Sequence, residues 1–573
     1  MDGLKMQQES NNNRIPSLVT ECILLLLIAA FAFWVNRDIK IRGLYMDDLY
    51  MWSCYGEQSI WEFAFPIGTS TRFRPVYWLA TYLQMMIVGT HVSRFVAFNI
   101  VCNIAAAWML FYMAKKLSEC RYVAAGVSIC YLASRFAYYQ IGQALGLMET
   151  MALVMAILIL YLLYRYMQGD RDRPVSVRPD MRDRKTGYFA AALILYFLLA
   201  FTHERYISLF PMFYYVLTVR LLHQQAHNGT RKHWQRNHAG EWAAPAVVLA
   251  AIILIRSFAI GKALPAGTGG TEVTETFRIS ECIRYAFSQI LYIFGVNDGP
   301  EHLNGLPWDQ TPPLIKRCTK FSVLLIGLIC IAFAILVLRE VILAYRKDGT
   351  EGQGYAARFR KHAETCILFV MFIALCIGCS SVTIRVEMRW IYVSYAAALL
   401  FAAYMIGEIS EGFSPGTGPD GESGGITLPR VLATLLFAGY CILSLNCNLF
   451  YRTCYPKLYF WPNQLRMNSL AAETIDKYGT EGIFGKDIYI LENTYEMTDF
   501  YARTFFKPYD PEKKAEGTRV IFADSLSDVP AGDVLSGKAL VLKEVPEENA
   551  YRDLTEEIIK NGQIPGDMLD AVS

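Results

Sequence analysis

Charge is scarce in this sequence: 18% of its 573 residues are charged, against 54% hydrophobic. The scarcity is uneven, because the long apolar runs carry almost no charge and the segments between them carry most of it. That distribution excludes a string of soluble domains and fits a polytopic membrane protein with a soluble appendage. A net charge of +2 gives no reason to expect a nucleic-acid partner. No Gly-rich phosphate-binding loop is visible, so no nucleotide-binding domain is expected. Internal repeats and low-complexity tracts are also lacking. No disulfide framework is legible among the 14 cysteines. Most of them (Cys102, Cys130, Cys330, Cys366, Cys376, Cys379 and Cys441) lie inside apolar runs, where they behave as small hydrophobes. Cys376 and Cys379 have metal-ligand spacing, but no His or second pair stands nearby, so no metal or redox role is expected. The first apolar run, Leu18 to Val35, lacks a small-x-small cleavage site before Asn36 and is followed by further spans. It reads as a retained first helix.

Apolar segments of about twenty residues predict roughly eleven transmembrane helices. They fall at 17–35, 93–115, 121–139, 144–166, 188–202, 205–222, 243–261, 319–344, 365–383, 389–407 and 430–450. The segment 75–89 is apolar but short, and mixes Tyr, Trp, Thr and Gln among its apolar residues. Charge decides its placement. If it does not cross, the basic loops 115–121, 165–185, 220–236 and 346–361 all lie inside; if it crosses, they all land outside, against the positive-inside rule. It is therefore expected to lie in the interface, with Trp78 and Tyr82 at headgroup level. The N-terminus is then cytoplasmic, 36–92 and 262–318 are large outer loops (the latter with a helix at 276–294), and 451–573 is an extracytoplasmic domain. Strands at 487–491, 518–523 and 539–542 and helices at 463–478 and 551–560 predict a small α/β fold for that domain. The expected fold is thus a polytopic α-helical membrane domain over 1–450 with a small C-terminal α/β domain.

On this topology, polar residues gather on the outer face. Asp47 and Asp48 sit just beyond the first helix among Tyr45, Met46, Leu49, Tyr50, Met51 and Trp52. An ordinary solvated loop would also tolerate an acidic pair, but these neighbours point to a pocket or membrane surface. Neighbouring residues in extended chain point apart, so the two carboxylates are expected to have separate tasks. Arg72 and Arg74 follow in the same loop. His203, Glu204 and Arg205 interrupt an otherwise apolar stretch as a tight outer turn. Arg385, Glu387 and Arg389 form another. Arginine at such a depth is costly unless it is paired or faces a polar cavity, and guanidinium suits phosphate. Arg256 and Glu149 also stand near the outer ends of their helices. Solvated turns would scatter such groups over both faces; their convergence on one face predicts an extracytoplasmic site for a phosphate-bearing substrate.

This arrangement resembles the GT-C glycosyltransferases, integral membrane enzymes that use polyprenyl-phosphate-linked sugars. The resemblance lies in a first helix followed by acidic Asp47-Asp48 in a large outer loop, and then Arg72-Phe-Arg-Pro-Val-Tyr-Trp78 leading into an interfacial helix. It continues with Thr202-His-Glu-Arg205 and nearby Pro211, and covers roughly residues 17–450. It implies an inverting transfer of sugar from a lipid-phosphate donor to a glycan, lipid or protein acceptor at the extracytoplasmic face, the plasma membrane in a bacterium. It further implies that Asp47 or Asp48 is the general base, Asp47 being the preferred choice. Arg385, Arg389, Arg205 or Arg74 would stabilise the departing lipid phosphate, and Glu204 would orient the acceptor or an arginine. Some members use a divalent metal, which Asp48, Glu204 and Glu149 could bind; no cofactor is expected to be required. A lipid or glycan transporter would call for charged residues at mid-membrane and broken helices. A non-catalytic assembly protein would need nothing beyond the topology.

Overall fold

The structure is a computed structural model describing residues 2–39, 51–52, 54–55, 58–68, 72–89, 94–144, 146–168, 180–228, 239–261, 278–296, 311–347, 349–383, 390–413, 427–454, 474, 476–479, 481–491, 518–545 and 550–561. Its helices up to residue 228 are α1 (Asp2–Val35), α2 (Ile60–Ala64), α3 (Pro75–Val88), α4 (Arg94–Ser118), α5 (Arg121–Ala133), α6 (Arg135–Ile141), α7 (Gly146–Gln168), α8 (Asp180–Ala200) and α9 (Phe210–Asn228). They continue as α10 (Ala239–Ile260), α11 (Ile279–Ile293), α12 (Pro313–Arg346), α13 (Gly349–Ser381), α14 (Tyr392–Gly412) and α15 (Leu428–Cys454).

Each of the eleven expected spans falls on helix. Among the described residues eight helices (α1, α4, α7, α10, α12, α13, α14 and α15) are long and apolar enough to cross a membrane, and shorter apolar helices cover Pro75–Val88, Arg121–Ala133 and Thr186–Ala200. The chain is a multi-pass integral membrane protein. α14 is almost wholly buried, whereas α10, α12 and α15 expose large side chains such as Phe258, Leu324, Ile331 and Leu435. Such bands suit contact with acyl chains. α14 is the hub, and Gly407 lets it approach α4 closely, since a Cβ there would collide with the Leu117 backbone. A polar thread ties α4, α5 and α7: Tyr131 donates to Asn103 Oδ1 at 2.7 Å, and Asn103 donates to Thr150 at 3.3 Å. Away from water such bonds fix helix register.

Three local features depart from the sequence expectation. The segment 121–139 is two helices, because Ser134 adopts extended backbone and accepts from the Ala137 N–H, capping α6. The segment 205–222 begins as a 3-10 turn over Glu204–Leu209, and α9 starts only at Phe210, with Pro211 in its first turn where a missing N–H costs little. In the C-terminal region, the helix expected at 551–560 begins only at Thr555, because residues 550–553 form a strand.

That C-terminal sheet comprises β1 (Asp487–Leu491), β2 (Arg519–Ala523), β3 (Ala539–Val545) and β4 (Ala550–Asp553) in the order β2-β1-β3-β4. β1 runs parallel to β2 and β3, and β4 pairs antiparallel with β3. Pairing with β3 overrides helix formation as far as Asp553, whose carboxylate accepts from the Thr555 N–H and starts the helix Thr555–Asn561 there. The expected helix at 463–478 lies mostly outside the described residues.

The helix over 75–89 is 14 residues long, about 21 Å, short of the ~30 Å hydrocarbon thickness. Its Gln84 donates to Asn99 in the second turn of α4. Tyr82 packs inward against Tyr55 and Phe63, and its outward face carries Leu83, Met86 and Ile87.

Candidate active site

The start of α3 is where the first loop meets the helix tops. Pro75 opens the helix, leaving Arg74 just before it, and Glu204 opens the 3-10 turn after α8. Arg74 Nε donates to Glu204 Oε2 at 2.8 Å and its Nη2 to Oε1 at 2.6 Å, a bidentate fork between residues 130 apart in sequence. The two side chains are 6% and 3% exposed. Burial alone would push the Glu204 carboxyl up, but the Arg74 guanidinium beside it, helped by His203 and Arg256, holds it well below the ordinary carboxylate value. Glu204 is ionised at neutral pH, with both carboxylate oxygens engaged by Arg74.

Other helix ends close around this pair. Arg256, near the end of α10, is buried and donates through Nη1 to the Phe73 carbonyl at 3.2 Å. Its Nε has no acceptor among the described residues. Glu149, in the first turn of α7, interacts with the Tyr392 hydroxyl at the start of α14 and lies within the field of Arg74. Arg205 lays its guanidinium 3.5 Å from the centre of the Trp390 ring, a close cation–π contact. The His203 ring meets Tyr206 edge-on, and the Tyr206 and Tyr392 hydroxyls lie 3.5 Å apart. Ser208 donates to the Leu375 carbonyl and ties the 3-10 turn to α13.

The residues expected from sequence are therefore distributed as follows. Arg74, His203, Glu204 and Arg205 come together and are buried. Arg72 is half-buried in the approach to α3. Asp47, Asp48, Arg385, Glu387 and Arg389 lie outside the described residues. Their flanks do not: Ile39, Met51 and Trp52 border the first segment and Thr383 and Trp390 the second, all buried. Asn36, at the end of α1, accepts a hydrogen bond from Arg452 at the end of α15.

Arg256 and Glu149 hold more central positions than the sequence reading gave them. For Arg256 the signal was there, since an arginine inside an apolar run must face something polar. Trp390, Tyr392 and Tyr206 gave none, because aromatics in an apolar run look like core. Among the described residues no three His, Cys, Asp or Glu side chains gather as a metal-binding group. The described cluster sets Arg74, Arg205 and Arg256 against Glu149 and Glu204. An excess of positive charge in buried, low-dielectric surroundings favours an anion.

No family model and no curated protein matches the sequence. Among solved structures, the chain is similar to ArnT from Cupriavidus metallidurans bound to undecaprenyl phosphate, with 9% identity and a TM-score of 0.47 over 91% of this chain and 93% of that one. It is also similar to the archaeal oligosaccharyltransferase AglB from Archaeoglobus fulgidus in complex with an inhibitory peptide and a dolichol-phosphate, with 12% identity and a TM-score of 0.42 over 92% and 70% of the two chains. These likenesses are too loose to carry residue roles, which rest on this chain's own geometry.

Proposed function

We propose that this protein is a membrane glycosyltransferase moving a sugar from a polyprenyl-phosphate donor to an acceptor hydroxyl at the extracytoplasmic face, with inversion. The supporting observation is the buried cluster around Arg74–Glu204, where ends of α3, α7, α10 and α14 meet with arginine in excess over carboxylate among the described residues. In the proposed reaction the acceptor oxygen attacks the anomeric carbon and a first-loop aspartate, Asp47 in preference to Asp48, takes its proton. The bond from that carbon to the phosphate oxygen breaks on the opposite face, and the lipid phosphate leaves with the electron pair. Arg256, with Arg205, Arg385 and Arg389, is proposed to meet the charge that grows on the phosphate. Arg74 is held by Glu204 and shapes the pocket wall, with His203, Arg72 and Glu387 in supporting positions. Membrane orientation is part of the proposal: the N-terminus is cytoplasmic and the α/β domain extracytoplasmic.

The test uses vesicles containing the full-length protein, an acceptor extract and polyprenyl-phosphate-linked sugars, with release of free lipid phosphate as the readout. Asp47→Ala is expected to abolish release at unchanged membrane abundance. Full release by Asp47→Ala, Asp48→Ala and the double variant would sink the catalytic reading.

A further inference from the structure

α11 has two working faces. Gln289, Tyr292 and Ile293 are buried. Gln289 Nε2 donates to Ser381 Oγ at 2.8 Å, and Ser380 Oγ donates to Gln289 Oε1 at 2.6 Å, which bolts α11 to the last residues of α13. About a third of a turn away, Ile279, Ile283, Phe287 and Ile290 form a stripe that is 68%, 63%, 61% and 40% exposed. Spacings of four, four and three residues keep all four on one side of the helix.

The next helix in the chain, α12, carries an exposed apolar surface of its own. Two residues beyond the end of α11, Gly295 lines a small cavity together with Thr319 of α12, and α12 exposes Leu314, Phe321 and Leu324. α12 is long and apolar enough to span, so that surface faces acyl chains. Exposed cations accompany these apolar faces: Arg284 on α11, and Arg317 and Lys320 near the start of α12. An apolar face with basic flanks is the pattern that binds an anionic bilayer surface.

We infer that α11 docks into the headgroup region of the bilayer on the candidate-site end, with its four apolar side chains among acyl chains and its cations on anionic phospholipid. Through Gln289 the docked helix is a strut for the end of α13, two residues before Thr383. The inference does not depend on the glycosyltransferase reading, because lipid contact is measured without turnover.

The experiment places p-benzoylphenylalanine at Phe287 in the full-length protein, in vesicles of phosphatidylcholine with a minor share of phosphatidylglycerol. Irradiation is expected to give an adduct of one phospholipid mass, enriched in phosphatidylglycerol over its bulk share, while the same probe at Tyr292 gives none. A cross-link to a second copy of the chain, or no lipid adduct at 287, would overturn the docking. The strut has its own readout. Gln289→Leu is expected to speed amide exchange at Ser381–Thr383 at least tenfold, and unchanged exchange there would refute it.

Discussion

The two ends of the helical bundle each hold an ionisable cluster, and they pair charge differently. At the end away from the candidate site, His362 on α13 lies 3.0 Å from Glu340 on α12, shares a hydrogen bond with Tyr404, and lies 3.7 Å from Glu408 on α14. Lys361 pairs with Glu408 at 2.7 Å and Arg358 with Glu340 at 3.5 Å. Glu340 and Glu408 are each met by a permanent cation, with Glu411 close by, and the groups come from three helices that must stay in register. At the candidate-site end, Arg74, Arg205 and Arg256 outnumber Glu149 and Glu204 among the described residues. A cluster whose carboxylates are each met by a cation satisfies itself and serves as scaffold. Arginines in excess of carboxylates retain affinity for a further anion, which is the physical difference between a fastening and the proposed binding site.

The largest expected effect tests the fastening inside the binding site. Glu204→Gln leaves Arg74 buried without its carboxylate and is expected to cost about 3–5 kcal/mol, read as a lowered melting temperature in detergent together with loss of sugar transfer. Adding Arg74→Met should recover part of the stability and none of the transfer. A Glu204→Gln protein as stable as the parent would break the comparison at its centre. Next in size, Glu340→Gln at the other end is expected to cost about 1–3 kcal/mol with transfer per folded molecule unchanged; a selective loss of transfer would show that the paired cluster is more than scaffold.

Arg256→Gln sharpens the contrast from the other side. It is expected to leave the melting temperature within a few degrees of the parent and to weaken lipid-phosphate donor binding by about tenfold, or ~1.4 kcal/mol, measured by titration. A large fall in stability with unchanged binding would make Arg256 structural. The smallest effect is in pH. The folded-state pKa of Glu204 lies well below the ordinary 4.5, so its pair stabilises fully above about that value and is lost only as pH falls through the depressed folded value. Melting temperature should therefore be insensitive to this group from neutral pH to about pH 5. A loss in that window confined to the parent and absent from Glu204→Gln would contradict the depressed value.

Much of the fold was legible because membrane solvent imposes a simple rule: long uncharged runs must be helical, and the expected spans fall on helical segments. Breaks within those runs were not legible. Nothing in residues 121–139 distinguishes a continuous helix from two pieces hinged at Ser134, since serine is tolerated in both settings. Strand β4 was missed for a related reason: residues 550–553 pair with β3, and that partner is invisible to local propensity. In the site, the residue types were legible and the partnerships were not. Arg74 and Glu204 each stood out as charges at helix ends, but no periodicity links residues on separate helices, so the fork between them appears only in three dimensions.

The hydrogen bond from Arg452 to Asn36 has a consequence for biosynthesis. It spans 416 residues and joins the end of the first long helix to the end of the last one. Arg452 also rests on the Tyr138 ring, and Arg135 lies between Tyr292 and Tyr451. Helices made early at the ribosome therefore keep polar groups waiting for a partner that emerges only when α15 has been synthesised. Until then this end of the bundle stands open, and a nascent chain halted before residue 428 would have every other span in place with that closure still unmade.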